Sequence, residues 1–385
     1  MAKNSKNNEK NAQNVVEIVD DLLEKAALAG VSDVHFEPTA GGLVVKFRLD
    51  GVLNTIEKLP NALSDNIISR LKVLGGLLTY RNDVPQEGRI QVTDKYKQNI
   101  LDQRLAIFPT IHGQRAVVRL FYENNELTEL ENLGFGKNIE QILKNICTSN
   151  QGVLLLTGPA GAGKSTTLIA MLRHILKNQP GKSIVTLEDP VERSIQGVTQ
   201  IQITPYGEMT FPIALRSLLR QDPEVLMVGE IRDAQTAKIV IEAALTGHLL
   251  MSTLHSGSCA GAFLRLLEMG AEPYQITSSI TAVLNQRLVR RLCEKCKIRD
   301  GQTGLYQAIG CDDCFKTGYK GRALICEIVQ MDGHLRQAII SKADSDELND
   351  ILNRRGHMTM LQNGTGLVAD GITTQEELNK VCGAV

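Results

Sequence analysis

The sequence predicts an α/β protein: a parallel sheet wound on both sides by helices, preceded by a smaller α+β domain with an antiparallel sheet. Three observations carry this expectation. From Gly134 onward, short apolar runs alternate with helical patterns, as in successive βαβ units. Before Tyr122 the runs alternate apolar with polar residues and carry a hairpin signal at Asp50-Gly51, as half-buried antiparallel strands do. Finally, Gly158-Pro159-Ala160-Gly161-Ala162-Gly163-Lys164-Ser165 has the form G-x-x-x-x-G-K-[ST] between a strand-like and a helix-like run, the setting a phosphate-binding loop needs.

The elements follow in order. Residues 1–14 are rich in Lys and Asn and lack an apolar h-region, so they read as a disordered tail rather than a signal peptide. Val15, Val16, Ile18, Val19, Leu22, Leu23 and Ala26 then recur at helical spacing and stop at Gly30. Strands are expected at 34–37 and 43–49, a helix at 67–78, and strands at 89–92, 103–107 and 116–121. That makes residues 15–121 one domain and the acidic stretch 122–133 a linker. Residues 134–385 form the second domain, with buried strands at 153–156, 183–187, 225–228 and 249–253. A cysteine segment interrupts it at about 293–322, and a helical piece closes it at about 335–385.

Composition narrows the function. The 385 residues carry a net charge of -1, 43% hydrophobic residues and no Trp, which argues against a nucleic-acid partner. No apolar run approaches the ~18 residues of a membrane span. The expected location is the cytoplasm, with any membrane association made through partners. Eight cysteines in such a setting are not a disulfide framework.

The loop motif points to nucleotide chemistry. Its glycines turn backbone N–H groups around a polyphosphate, and the helix N-terminus behind them favours anions. Lys164 would reach the β/γ-phosphates of ATP, with Ser165 holding Mg²⁺ and Thr166 behind it. Glu230 ends the run 225–228 and Glu188 ends 183–187, where carboxylates of α/β sheets meet ligands. Either is a candidate to hold the metal or polarise the attacking water. His248 and His255 frame the run 249–253, and His248 is expected to sense the γ-phosphate. Arg216, Arg220 and Arg232 surround the acidic strand and are candidates for charge stabilisation or surface ion pairs. Cys293-x-x-Cys296 and Cys311-x-x-Cys314 suit tetrahedral Zn²⁺ with no open position. Asp33, His35 and Glu37 share one strand face and read as a polar face rather than a metal site.

Several longer motifs are recognisable. Thr186-Leu187-Glu188-Asp189-Pro190-Val191-Glu192 resembles the aspartate box of bacterial secretion and pilus ATPases. Leu219 to Pro223 and Val228-Gly229-Glu230-Ile231-Arg232-Asp233 resemble their atypical Walker B region, and Ala244 to His255 their histidine box. Ser32-Asp33-Val34-His35-Phe36-Glu37-Pro38 resembles the opening of their N-terminal domain. Phe47 to Gly51, Pro85-Gln86-Glu87-Gly88-Arg89, Gln286 to Cys293 and Gly318 to Arg322 extend the likeness. The chain is thereby identified as similar to the type II secretion and type IV pilus assembly ATPase family over about residues 15–385. The resemblance implies a PAS-like N-terminal domain joined to a RecA-like ATPase domain in a homohexamer. It further implies charge-stabilising arginines at Arg89 and Arg104, and work on pilin-like subunits through an inner-membrane platform protein. An extra N-terminal domain found in many members is not expected, because only about fourteen residues precede the first helix. Glu87, Ile213, Gln235 and Ser256-Gly257-Ser258 depart from the family pattern and leave the choice of machine open. A pilus-retraction ATPase and a RecA-like nucleic-acid motor are the alternative readings.

Overall fold

The computed structural model describes residues 2–91, 100–122, 126–204 and 207–383. Val92 of the expected strand 89–92, residues 123–125 of the expected linker and Met1 lie outside them. The chain divides into two compact units, Met1–Asn125 and Glu126–Val385.

The first unit is a six-stranded antiparallel sheet with two helices. Its elements are α1 (Ala2–Leu28), β1 (Asp33–Thr39), β2 (Gly42–Leu49), β3 (Val52–Leu59), α2 (Asn61–Leu74), β4 (Gln86–Arg89), β5 (Ile100–Thr110) and β6 (Gly113–Tyr122), in sheet order β3-β2-β1-β6-β5-β4. Helix α1 extends the helix expected from Asn14 back through the segment expected as a tail. Val19, Leu22 and Leu23 of α1 and Ile67 and Leu71 of α2 bury their stripes against Val34, Phe36, Val45 and Phe47. Alternation along β1 puts Asp33, His35 and Glu37 on the opposite face. There Arg119 donates to Asp33 at 2.8 Å, and Arg115 contacts both His35 at 2.9 Å and Glu37 at 3.1 Å. The expected polar face is thus an ion-pair network. These partners hold the Asp33 and Glu37 carboxyls below their ordinary pKa against the opposing effect of burial, while burial pushes His35 down.

The second unit is built on a seven-stranded sheet. In chain order it contains α3 (Lys137–Cys147), β7 (Gly152–Thr157), α4 (Lys164–Asn178), β8 (Ile184–Glu188), β9 (Thr199–Gln202), α5 (Phe211–Leu218), β10 (Val225–Val228), α6 (Ala234–Leu245), β11 (Leu249–Leu254), α7 (Cys259–Glu268), α8 (Pro273–Ser279) and β12 (Ile280–Leu292). The short ribbon β13 (Ile298–Arg299) and β14 (Tyr306–Gln307) precedes β15 (Tyr319–Gln330), then α9 (Gly333–Ile340), α10 (Ser345–Arg354), α11 (Met360–Ala369) and α12 (Gln375–Cys382). Sheet order is β15-β12-β7-β11-β10-β8-β9.

All six residues of β7 are buried, as expected for a parallel strand covered on both faces. Val153 and Leu155 face a core shared with α6 and α7, while Leu154 and Leu156 face another built from α3 and α4. The expectation of a wholly parallel sheet needs one correction, because β15 runs antiparallel to β12. Those two strands are the arms of a hairpin whose tip carries the cysteine segment, so a crossover helix is not required.

Candidate nucleotide site and metal centre

Strand β7 delivers the chain into the loop Gly158–Ser165, and α4 begins at Lys164. The loop requires glycine at two points. Gly158 has φ +136°, and a Cβ there would come within 2.3 Å of the Gln286 carbonyl oxygen. Gly163 has φ +88° in the left-handed region and is the N-cap of α4. Pro159, Ala160 and Gly161 form the exposed crest of the loop, and Ala162 is buried beneath it. Lys164 donates to the carbonyls of Gly158 at 2.8 Å and Pro159 at 2.9 Å, arching across the loop. Burial lowers its pKa, opposed by the nearby carboxylates of Glu230 and Glu192. Ser165 is exposed and Thr166 half-buried in the first helical turn, where N–H groups and the helix dipole favour an anion.

Parallel pairing brings the strand ends to this same edge. Gly229 donates to the Leu187 carbonyl at 2.8 Å, and Thr253 donates to the Gly229 carbonyl at 2.7 Å. Glu230 is thereby held beside His255, whose Nε2 lies 2.9 Å from Oε1. Arg232 donates to the other oxygen of Glu230 at 2.7 Å and to Asp189 at 3.3 Å. Glu188 is 8% exposed and accepts from Thr186 at 2.6 Å and Gln200 at 3.0 Å. Since Val228 pairs with Leu187, Glu188 and Gly229 stand level on neighbouring strands. Lys164, Glu188, Glu230, Arg232 and His255 therefore share the carboxyl-terminal edge of the sheet, where open α/β sheets bind ligands.

His248 does not join them. Leu249 pairs with Gly152 and Leu254 with Thr157, so the loop leaves the sheet where β11 ends, whereas His248 stands where β11 begins. Six residues at about 3.3 Å each separate it from that edge, or ~20 Å. Its Nδ1 lies 2.9 Å from the Ala243 carbonyl and 3.3 Å from the Thr246 hydroxyl. The expected γ-phosphate sensor is corrected accordingly: His255, not His248, stands beside Glu230.

In the first unit, Arg89 and Arg104 face each other across β4 and β5. Both reach Asp102, at 3.4 Å and 3.2 Å, and Arg104 lies 4.7 Å over the Phe121 ring. They form one exposed basic pair on that sheet.

The four Sγ atoms of Cys293, Cys296, Cys311 and Cys314 lie within 4.8 Å of one another. Three of their separations are 3.9, 3.8 and 3.8 Å. A tetrahedron of sulfurs about 2.3 Å from zinc has edges of about 3.8 Å, so this donor set fits Zn²⁺. Burial raises the Cys314 thiol, but backbone N–H groups of Cys311 and Gly318 outweigh it and bring the pKa down to about 7. Such donors favour a thiolate ligand. Among the described residues this is the one group with metal-binding geometry.

The motifs did not single out Asn285 and Gln286 as site residues. Both are buried beside the loop on β12: Asn285 donates to the Gly257 carbonyl at 3.1 Å, and Gln286 to that of Ala162 at 2.8 Å. The available signal was an adjacent pair of amides inside an otherwise apolar run, since buried polar side chains are there to bond something.

Residues 8–380 match the family model described as type II/IV secretion system protein. The type IV pilus assembly ATPase PilB of Thermus thermophilus is 40% identical over 379 residues, spanning 94% of this chain and 42% of its own. The type II secretion system ATPase E of Vibrio cholerae is 38% identical over 382 residues, spanning 95% of this chain and 75% of its own. This chain thus spans less than half of the first relative and three quarters of the second. The ATPase DotB of Yersinia pseudotuberculosis shares its fold with a TM-score of 0.71 at 22% identity, covering 96% of this chain and 93% of that one. The pilus retraction motor PilT with bound ADP does so with a TM-score of 0.62 at 23% identity, covering 94% and 96%. No helix among the described residues is long and apolar enough to cross a membrane. With the phosphate loop, the strand-end carboxylates and these matches together, the chain belongs to the type II/IV secretion ATPase family.

Proposed function

We propose that the chain is the motor subunit of a homohexameric ATPase that powers assembly of pilin-like fibres or type II secretion pseudopili. The observation that carries this reading is the Glu230 carboxylate, held between His255 and Arg232 on the sheet edge that bears the phosphate loop. The 38–40% identity to assembly and secretion ATPases supports the direction of the work.

Gly158 to Thr166 cradle the triphosphate of ATP, and Lys164 bonds its β/γ oxygens. The Ser165 hydroxyl would hold Mg²⁺, which supplies charge neutralisation. Glu230 or Glu188 orients the attacking water and accepts its proton as the new P–O bond forms. The bond to the β-phosphate oxygen breaks, and ADP and phosphate result. His255 reports the loss of the γ-phosphate. Arg89 and Arg104 stabilise phosphate charge. The antiparallel sheet and two helices of the first unit are consistent with a PAS-like domain, and Zn²⁺ is the expected occupant of the four cysteines. The motor would act at the cytoplasmic face of the inner membrane, through a platform protein and with no direct nucleic-acid contact.

The test compares wild type with Lys164→Ala, Glu188→Gln and Glu230→Gln. Lys164→Ala should abolish turnover, and the carboxylate variant with the larger fall in kcat and retained ATP binding identifies the base. Crosslinking that ATP-trapped variant in its native cells should recover a polytopic membrane protein. Normal turnover by Lys164→Ala, or recovery of nucleic acid alone, would sink the reading.

A further inference from the structure

We propose that Gln286 is a positioning residue for nucleotide binding: its amide sets the loop peptide that presents the Gly163 N–H to phosphate. Strand β12 lies next to β7 with Asn285 opposite Thr157, so Gln286 stands directly behind the start of the loop. The residue is 1% exposed. Its Nε2 donates to the Ala162 carbonyl at 2.8 Å, and its Oε1 accepts from the Thr167 hydroxyl at 3.1 Å. Thr167 is itself 2% exposed, in the first turns of α4. One buried amide therefore ties the loop backbone to the helix that follows it.

The consequence follows from peptide geometry. In a trans peptide the C=O and N–H point in opposite directions. With the Ala162 carbonyl turned inward to Gln286, the Gly163 N–H of that same peptide is turned to the other side of the loop. Gln286 also limits the loop sterically. Its backbone oxygen would meet a Cβ on Gly158 at 2.3 Å, and its Nε2 a Cβ on Gly163 at 3.2 Å. A glutamine suits this place because it carries a donor and an acceptor on one planar group. Methionine would fill a similar volume with neither. An ionised glutamate would turn an acceptor toward the Ala162 carbonyl, whereas a protonated one would restore the donor and the acceptor.

The inference rests on the loop's phosphate-binding role, which Lys164→Ala tests separately. The full chain would be assayed for ATP turnover and for fluorescent ADP binding. Gln286→Met should raise KM for ATP and Kd for ADP about tenfold, with kcat changed by less than about threefold. Thr167→Val, which removes only the hydroxyl donor, should shift both constants in the same direction by less. Gln286→Glu should bind weakly at pH 8 and recover toward wild type as pH falls toward about 6, because burial raises a carboxyl pKa. A packing role alone would lower Tm while leaving KM and Kd at wild-type values, and that result overturns the proposal. Should Gln286→Met fail to fold, the other two variants decide. Unchanged constants in Thr167→Val together with pH-independent binding by Gln286→Glu would also overturn it.

Discussion

The His255 imidazole stands 2.9 Å from Glu230, while the ring of His248 lies 2.9 Å from the Ala243 carbonyl. Both residues flank β11, so their difference comes from strand direction alone. A parallel sheet gathers the carboxyl ends of its strands on one edge, and only a residue following β11 reaches the edge that holds the loop. His255→Ala should therefore lower kcat by roughly 10²–10³-fold, the scale of one lost donor at developing charge, with ATP affinity nearly unchanged. His248→Ala should cost about 1 kcal/mol of stability through its lost hydrogen bond and leave kcat within about twofold. Steady-state kinetics and thermal melts of the two variants check this. A collapse of kcat in His248→Ala would mean that the sheet edge around β11's start takes part in catalysis.

At the level of elements, the hairpin β12–β15 joins the loop region to the metal lobe. Past Gln286, Arg290 pairs with Glu377 at 2.5 Å and lies 3.9 Å over the Tyr319 ring, while the Tyr319 hydroxyl meets Thr374 at 2.8 Å. Two residues beyond Arg290, Leu292 donates to the Ile372 carbonyl and β12 runs into Cys293. The lobe beyond Cys293 has only a two-residue ribbon and a short 3-10 turn of its own. A unit so small needs a metal staple in place of a core. Cys311→Ser should take zinc content from about one per chain to near zero and expose residues 297–310 to proteolysis. Elemental analysis and limited proteolysis read this out, and a metal-free but protease-resistant wild type would contradict it. The two C-x-x-C pairs were legible in the sequence because zinc spacing is local. Strands β7, β8, β10 and β11 were legible because each is a short apolar run. Strand β12 was not: Asn285, Gln286, Arg287, Arg290 and Arg291 interrupt its apolar pattern, and their partners lie on other elements. Strand β9 was missed because Thr199, Gln200 and Gln202 make it a polar edge.

Over the whole molecule, the charges of the second unit's site are close to self-compensating. Lys164 and Arg232 face Glu188, Asp189, Glu192 and Glu230, so this edge alone offers a triphosphate little uncompensated positive charge. Further cations have to come from the metal and from basic groups elsewhere in the molecule or its assembly. Arg89 and Arg104 suit that task, because they share the single carboxylate of Asp102 and remain 72% and 49% exposed. Together they retain net positive charge that their own sheet does not cancel. Arginines that act on a transferring phosphoryl group are worth roughly 10³-fold or more in rate, whereas exposed ion pairs contribute about 1 kcal/mol or less to stability. The two roles therefore separate cleanly. The double variant Arg89→Ala/Arg104→Ala should lose roughly 10³-fold in kcat while its melting temperature stays close to wild type. A variant that melts normally and keeps kcat within about threefold would show that the missing positive charge comes from elsewhere, and Arg81, Arg115 and Arg119 of the same unit would be the next residues to replace.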